Sequence, residues 1–279
     1  MIESYGWRIN GDVNRKNGLK LYTDTTNKIS EASITNFSDE IKAELQLHNL
    51  KKLTVDSTDC IDDFSVIVRL KTLSSLIIRF DYKTIDISFV NEMPNLKELG
   101  SPKFIGSITN KNITSIGYKW HKKSDISQCS NLQSIDIHNC SDLASFFKQI
   151  DNLQFLKRVS FFRLTASSIP LCRLNTNIEE LTFSYCPKLQ TLDNLGNTLP
   201  KVTKMTIENC KNVCNYEALS EFKNLQKLSI FDSSPISDVS FLTNLKKLTH
   251  IRIGKTQITA ENKDLLNNIK NVDLCMTGI

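Results

Sequence analysis

One spacing of apolar residues recurs four times in the chain, and each copy reads apolar-x-x-apolar-x-apolar. The copies are Ile178–Phe183, Val202–Ile207, Leu225–Ile230 and Leu248–Ile253, and their starts lie 24, 23 and 23 residues apart. The last two apolar residues of each copy are two apart, the spacing that puts side chains on one face of a β-strand. A repeat of this length predicts a solenoid in which each copy forms one coil.

The same pattern extends over most of the chain and predicts about eleven coils. Their starts are Leu50, Leu73, Leu96, Ile113, Leu132, Leu156, Ile178, Val202, Leu225, Leu248 and Ile269. The coils that start at Leu96 and Ile113 are short, and Pro102 follows the strand of the first one. Because proline cannot donate to a strand ladder, we expect either weaker strand pairing or a bend of the arc there.

Residues 1–49 do not carry the repeat. Apolar residues alternate on both sides of Asn17-Gly18, a strong turn signal, which predicts a short hairpin. Ile34, Phe37, Ile41 and Leu45 then fall at helical spacing. We therefore expect an N-terminal cap of a hairpin and a short helix over residues 1–49, and a solenoid over residues 50–279.

Two details of the repeat resemble a known family. The segment Ile236–Leu248 places apolar residues at a cadence similar to that of internalin-type bacterial leucine-rich repeats. Cys140, Cys186 and Cys210 each follow a strand phrase by three residues, similar to the cysteine variant of the family motif. The resemblance implies an α/β solenoid: an arc with a parallel sheet on its concave face and short helices, 3₁₀ turns and loops on its convex face. It also implies protein binding rather than catalysis.

Composition narrows the classes of protein. The net charge of +5 comes from 35 basic and 30 acidic residues without a long basic block, so nucleic acid is not indicated as a partner. The first residues lack a basic and apolar leader, and no apolar run is long enough to span a membrane. We therefore expect a cytoplasmic protein without membrane contact. The eight cysteines are expected to be free thiols, mostly buried.

The sequence offers few groups for chemistry. Cys210 and Cys214 have a spacing that could suit zinc, but no second pair of ligands follows them, and Cys210 occupies the repeat position of Cys140 and Cys186. His250 and Cys275 lie one coil apart without a readable third group. We expect no catalytic residue, no metal and no cofactor.

The candidate site is the concave face. In a coil that starts at residue n, residues n+3 and n+5 face the core, whereas n+2, n+4, n+6 and often n+7 face the concavity. Large aromatics and arginines alternate there, the composition of a binding hot spot. The predicted partner-binding residues are Arg79, Phe80, Lys119, Trp120, Asp136, His138, Arg158, Phe162, Arg163, Tyr185, Phe231 and Arg252. Exposure is favoured for Trp120, Phe162, Arg163 and Tyr185, whereas Phe80 and Phe231 could equally pack on the next coil.

Three functions remain open at this stage. The first is a cytosolic module that binds one protein, for example an inhibitor or immunity protein that neutralises a toxin. The second is a secreted effector or surface protein that binds a host protein. The third is a substrate receptor of a ubiquitin ligase, for which residues 1–49 are too short and too strand-like. A homodimer through the C-terminal end of the array is a further expectation.

Overall fold

The computed structural model describes residues 14–16, 18–56, 63–79, 83–269 and 273–278. The chain forms two compact units, Met1–Leu132 and Gln133–Ile279. This division falls inside the predicted solenoid. None of the described helices is long and apolar enough to cross a membrane.

The first unit begins with antiparallel strands and continues with parallel ones. Its elements are β1 Asn14–Lys16, β2 Leu19–Thr23, β3 Ile29–Ile34, α1 Asp39–Gln46, β4 Lys52–Val55, α2 Ser65–Arg69, β5 Ser75–Ile78, β6 Ile85–Asp86, a 3₁₀ helix Ser88–Glu92, β7 Glu98–Ser101, β8 Phe104–Ser107, β9 Ser115–Lys119 and β10 Ser124–Asp125. β1 and β3 each pair antiparallel with β2. From β3 the pairing continues in parallel through β4, β5, β7 and β9.

The segment predicted as a cap contains the hairpin of β1 and β2, and also the strand β3, which was not predicted. Ile34 belongs to that strand, so the helix is shorter than its apolar spacing suggests. Ser38 begins it, because the Ser38 Oγ accepts a hydrogen bond from the Ile41 N–H at 3.4 Å. Trp7, Ile9 and Asn17 lie outside the described residues.

The two short coils return by strands instead of helices. β8 pairs in parallel with β6 on one side and with β10 on the other, which makes a small second sheet. A strand advances about 3.3 Å per residue and a helix only 1.5 Å, so a short coil can return in extended form. The expected weakening of pairing near Pro102 is seen on one side only: Glu98–Ser101 pairs with Ser115–Tyr118 without a gap, whereas the pairing with β5 ends at Gly100.

The second unit is a regular parallel sheet with short return segments. Its elements are β11 Ser134–His138, α3 Leu143–Ile150, β12 Arg158–Phe162, β13 Glu180–Ser184, α4 Leu195–Thr198, β14 Lys204–Glu208, a 3₁₀ helix Tyr216–Glu221, β15 Lys227–Phe231, a 3₁₀ helix Ser240–Asn244, β16 His250–Gly254, α5 Ala260–Asn267 and β17 Asp273–Thr277. Each strand pairs with the next over five residues and without a register shift. The predicted repeat architecture is confirmed.

The last coil is displaced by two residues from its predicted start at Ile269. Asp273 pairs with His250, and Leu274 and Met276 pair with Ile251 and Ile253. The apolar pair of the last strand is therefore Leu274 and Met276.

Candidate functional site

The face of the second unit's sheet that lies opposite the core, here called the open face, is ordered into rows. In β11 to β16 the second and fourth residues are buried, for example Val159 and Phe161 of β12, whereas Leu274 and Met276 of the last strand are half-buried. The first, third and fifth residues of each strand point the other way. Because the strands are in register, these positions align across the sheet. The first row is Ser134, Arg158, Glu180, Lys204, Lys227, His250 and Asp273; the middle row is Asp136, Ser160, Thr182, Thr206, Ser229, Arg252 and Cys275; the last row is His138, Phe162, Ser184, Glu208, Phe231, Gly254 and Thr277.

The residue after each strand is left-handed in six successive coils. These residues are Asn139, Arg163, Tyr185, Asn209, Asp232 and Lys255, with φ between 45° and 56°. The backbone N–H of each donates a hydrogen bond to a backbone carbonyl of the next strand. The Tyr185 N–H, for example, lies 2.9 Å from the Glu208 carbonyl oxygen. The left-handed turn thus adds one hydrogen bond to each strand pair. It also projects the side chain from the edge of the open face, and Tyr185 is 43% exposed.

The residue after the left-handed one is buried in all six coils, and in every coil except that of Leu164 it carries a thiol or a hydroxyl group. We call this row of residues the polar ladder. Cys186 and Cys210 donate their thiol hydrogens to the carbonyls of Ser184 and Glu208, both at 3.4 Å. Ser233 continues the ladder, because its Oγ donates to the Phe231 carbonyl at 2.8 Å and accepts from the Cys210 N–H at 3.2 Å. A five-residue parallel strand per coil, followed by this polar ladder, decides the type of repeat. The coils have the fold of a leucine-rich-repeat solenoid.

Comparison with known proteins gives structural neighbours but no sequence relative. No protein-family model matches the chain, and no curated protein matches it in sequence. Among solved structures, the internalin InlF of Listeria monocytogenes is 18% identical, with 89% of this chain and 80% of that chain covered and a TM-score of 0.43. The functional domain of InlJ from Listeria monocytogenes, which includes a cysteine ladder, is 15% identical, with 74% and 50% covered and a TM-score of 0.40. A leucine-rich-repeat protein of Leptospira interrogans is 12% identical, with 88% and 89% covered and a TM-score of 0.30.

Four predicted site residues meet at one corner of the open face and form what we call the aromatic cluster: His138, Phe162, Arg163 and Tyr185. The Phe162 ring lies between the other two rings, with centroids 5.1 Å from His138 and 5.5 Å from Tyr185 and with tilted planes. The Arg163 guanidinium lies 5.2 Å from the Phe162 centroid. Tilted aromatic pairs and a cation over a ring face are both attractive arrangements. The cluster is therefore a preorganised apolar surface with a cation at its edge.

Asp136 lies beside this cluster in the middle row, and Arg158 lies in the first row at the other end of β12. Burial raises the pKa of the Asp136 carboxyl above its usual range, although a hydrogen bond from Ser160 and the charge of Arg158 oppose that shift. Arg158 is exposed at the start of β12. This corner of the open face thus combines three rings, one arginine and one carboxyl group, and a second arginine lies at the far end of β12.

The opposite end of the open face carries what we call the basic group: Lys204, Lys227, His250 and Arg252. Lys227 pairs in register with Lys204 on one side and with His250 on the other. Lys204 also contacts Glu180, at 3.3 Å. Within the described part of the chain, Lys227 and Arg252 have no carboxylate at ion-pair distance. Like charges on directly paired strand positions repel each other, so this arrangement lowers stability.

Phe231 and Arg252, two further predicted residues, lie at this end. Phe231 is half-buried over Gly254, where a Cβ would come within 2.7 Å of the Phe231 ring. Arg252 is exposed. Lys204, Lys227 and His250 were not predicted, although their position at n+2 of each coil is the signal that could have found them.

The remaining predicted residues belong to the first unit. Arg79 pairs with Asp56 at 3.4 Å, Lys119 is half-buried at the end of β9, and Phe80 lies outside the described residues. The predicted exposure of Trp120 is wrong, because only 6% of this residue is exposed. Trp120 does not adopt the left-handed conformation; the chain instead continues towards β10, so the side chain turns into the core.

Most of the described cysteines are buried in the core. Cys140, Cys186 and Cys210 are fully buried free thiols, whereas Cys214 and Cys275 are exposed. Burial raises the pKa of Cys140 to about 12, and the contact with Cys210 together with burial raises the pKa of Cys186. In the described ranges, no group of three or more His, Cys, Asp and Glu side chains could hold a metal ion.

Proposed function

We propose that this protein is a non-catalytic binding module that recognises a partner protein through the open face of Gln133–Ile279, with the aromatic cluster as the anchor. The observation that carries the proposal is Tyr185. Its large ring is exposed, although the backbone there prefers asparagine or glycine, and it packs on Phe162 instead of on the core. Rigid aromatic and arginine side chains supply most of the binding energy in protein interfaces.

The finer proposal is a cytoplasmic inhibitor that neutralises one partner, such as an immunity protein against a toxin. Free thiols in the ladder support a reducing compartment, because Cys186 and Cys210 donate hydrogen bonds that a disulfide could not donate. A standard protein interface buries about 1,600 Å² in total, or about 800 Å² on each partner. Seven strands at about 4.8 Å spacing and about 3.3 Å per residue give the open face a projected area of about 500 Å², to which its long side chains and the turn residues at its edge add.

The test is affinity capture of the tagged chain from a lysate of its source organism, with quantitative mass spectrometry of the captured proteins. The variant Phe162→Ala/Tyr185→Ala removes the two anchoring rings. The matched control is Phe155→Ala, which truncates a 58% exposed ring in the turn before β12, outside the open face. Truncation of a hot-spot aromatic weakens binding by about 2 kcal/mol or more.

We expect one protein to be captured by the native chain and by Phe155→Ala, and to be lost with the double variant. Circular dichroism and thermal melting of the purified variants check that both are folded. Equal capture by the double variant, while it is folded, would remove the aromatic cluster from the site. Reversal of the two arginines, Arg158→Glu/Arg163→Glu, is expected to abolish capture in the same way.

A further inference from the structure

We infer that the basic group binds an acidic segment of the partner protein. This inference rests on the proposed function and adds the chemistry of the partner. Its starting point is the charge pattern of the first row. Glu180 stands beside Lys204 and Asp273 beside His250, but between them Lys204, Lys227 and His250 are adjacent without an intervening carboxylate.

Elsewhere in the second unit, lysines form ion pairs with carboxylates of the next coil. Lys157 contacts Glu179 of the next coil at 3.5 Å, and Lys211 contacts Asp232 of the next coil. In the basic group, by contrast, Lys227 has no carboxylate beside it in the first row. Its neighbours there are Lys204, which is cationic, and His250, which is ionisable. A bound carboxylate would convert this repulsion into attraction, so the free protein is less stable than it could be and the complex gains.

The floor under the basic group suits carboxylate groups. Thr206 and Ser229 of the middle row are half-buried and short, whereas Lys204, Lys227 and Arg252 are exposed and long. Neither hydroxyl has a protein hydrogen-bond partner within the described residues. The long cationic side chains and the two hydroxyl groups between them can all donate hydrogen bonds, and a carboxylate accepts such bonds.

The size of the basic group favours a short acidic segment over a nucleic acid. From Lys204 to His250 the row crosses two strand spacings, about 10 Å, which gives room for two or three carboxylates. Glu180 and Asp273 border the row at its two ends. A continuous phosphate backbone that extended along the row would meet one of these carboxylates, whereas a short acidic segment would not.

The experiment is a fluorescence anisotropy titration at low ionic strength with three labelled probes: a hexaglutamate peptide, a hexaglutamine peptide and a ten-nucleotide thymidine oligomer. Each probe is titrated with the native chain, with Lys227→Glu/Arg252→Glu, and with the control Lys122→Glu/Lys148→Glu. The control changes the net charge by the same amount through two exposed lysines outside the open face.

We expect hexaglutamate to bind the native chain more tightly than either other probe does. The reversal in the basic group should weaken hexaglutamate binding by about tenfold or more, since it removes two favourable charge pairs and also adds repulsion. The control should bind hexaglutamate as the native chain does. If Lys227→Glu/Arg252→Glu is not folded by circular dichroism, Lys227→Gln/Arg252→Gln replaces it, with an expected loss of about threefold.

Three results would overturn the inference. The first is that hexaglutamate binds no more tightly than hexaglutamine. The second is that the control reversal weakens hexaglutamate binding as much as the reversal in the basic group does. The third is that the oligonucleotide binds more tightly than hexaglutamate and responds to the same reversal, which would make the row a nucleic-acid surface. The proposed function is judged separately by capture with Phe162→Ala/Tyr185→Ala. A partner that depends on the aromatic cluster but not on Lys227 and Arg252 would leave the proposed function in place and refute only the acidic segment.

Discussion

Lys255 allows the strain of the left-handed turn to be measured without disturbing the candidate site. Its φ is 51°, and its N–H donates to the Thr277 carbonyl at 2.9 Å. A non-glycine side chain in this conformation costs about 1–2 kcal/mol, and asparagine tolerates it better than other non-glycine residues. The replacement Lys255→Asn keeps the backbone hydrogen bond and removes part of that strain. We expect the free energy of unfolding to rise by about 0.5–1 kcal/mol.

The assay is urea unfolding followed by circular dichroism, with Lys255→Ala as the control. Alanine also removes the lysine charge but keeps the Cβ that makes the left-handed conformation unfavourable. Lys255→Ala should therefore leave the unfolding midpoint close to that of the native chain. If Lys255→Asn is no more stable than Lys255→Ala, the left-handed turns hold no recoverable strain and the argument for Tyr185 loses its basis.

The same replacement at the aromatic cluster separates strain from packing. Tyr185→Asn relieves the same strain but loses the ring contact with Phe162, which contributes about 0.5–1.5 kcal/mol. We therefore expect little net change for Tyr185→Asn. In a chain that already carries Phe162→Leu, the ring contact is gone, so Tyr185→Asn should stabilise about as much as Lys255→Asn does. A double-mutant cycle over Tyr185 and Phe162 that shows no coupling would contradict this account.

Three further predictions concern buried groups. Trp120→Ala should destabilise the protein by about 3–5 kcal/mol, because a buried indole leaves a cavity, and the native fluorescence should contain a blue-shifted component that this variant loses. Gly254→Ala should cost about 1–3 kcal/mol in urea unfolding, because its Cβ would displace the Phe231 ring. Burial raises the pKa of Cys129 and of Cys140 to about 12 from 9.0, so the unfolded thiols ionise first as the pH rises. Stability should therefore be unaffected by these groups below pH 9 and fall between about pH 9 and 12, by about 1.4 kcal/mol per pH unit for each thiol, in urea unfolding monitored across that range.

The apolar spacing predicted the strands because the fold uses one spacing throughout. Positions n+3 and n+5 of a coil must both reach the core, so residues such as Leu228 and Ile230 are fixed by burial alone. The last coil shows the limit of this signal. Val272, Leu274 and Met276 are all apolar and two apart, so two registers satisfy the pattern equally. Pairing with His250 selects the later one, and a sequence pattern contains no information on pairing.

The candidate site was harder to predict because exposure depends on the backbone after the strand. Tyr185 and Trp120 occupy the same position of their coils, yet Tyr185 is left-handed and exposed whereas Trp120 is buried. The difference comes from the return segment. The coil of Tyr185 is 24 residues long and closes its turn with Cys186, whereas the coil of Trp120 is 19 residues long and continues towards β10. Coil length is readable from the sequence, and it is the information that should have separated the two aromatics.

Two features of the open face lower the stability of the free protein and fit the proposed binding role. An array selected only for stability would place asparagine or glycine after every strand and alternate charges along the first row. Asn139 and Asn209 meet the first requirement, and Lys204 with Glu180 meets the second. Arg163, Tyr185, Asp232 and Lys255 depart from the first rule, and Lys227 departs from the second. Among the first group, Tyr185 is the residue whose large ring is also exposed. Because these departures destabilise the free protein, the proposed partner gives two of them a physical reason: an apolar surface would contact Tyr185, and an acidic segment would contact Lys227.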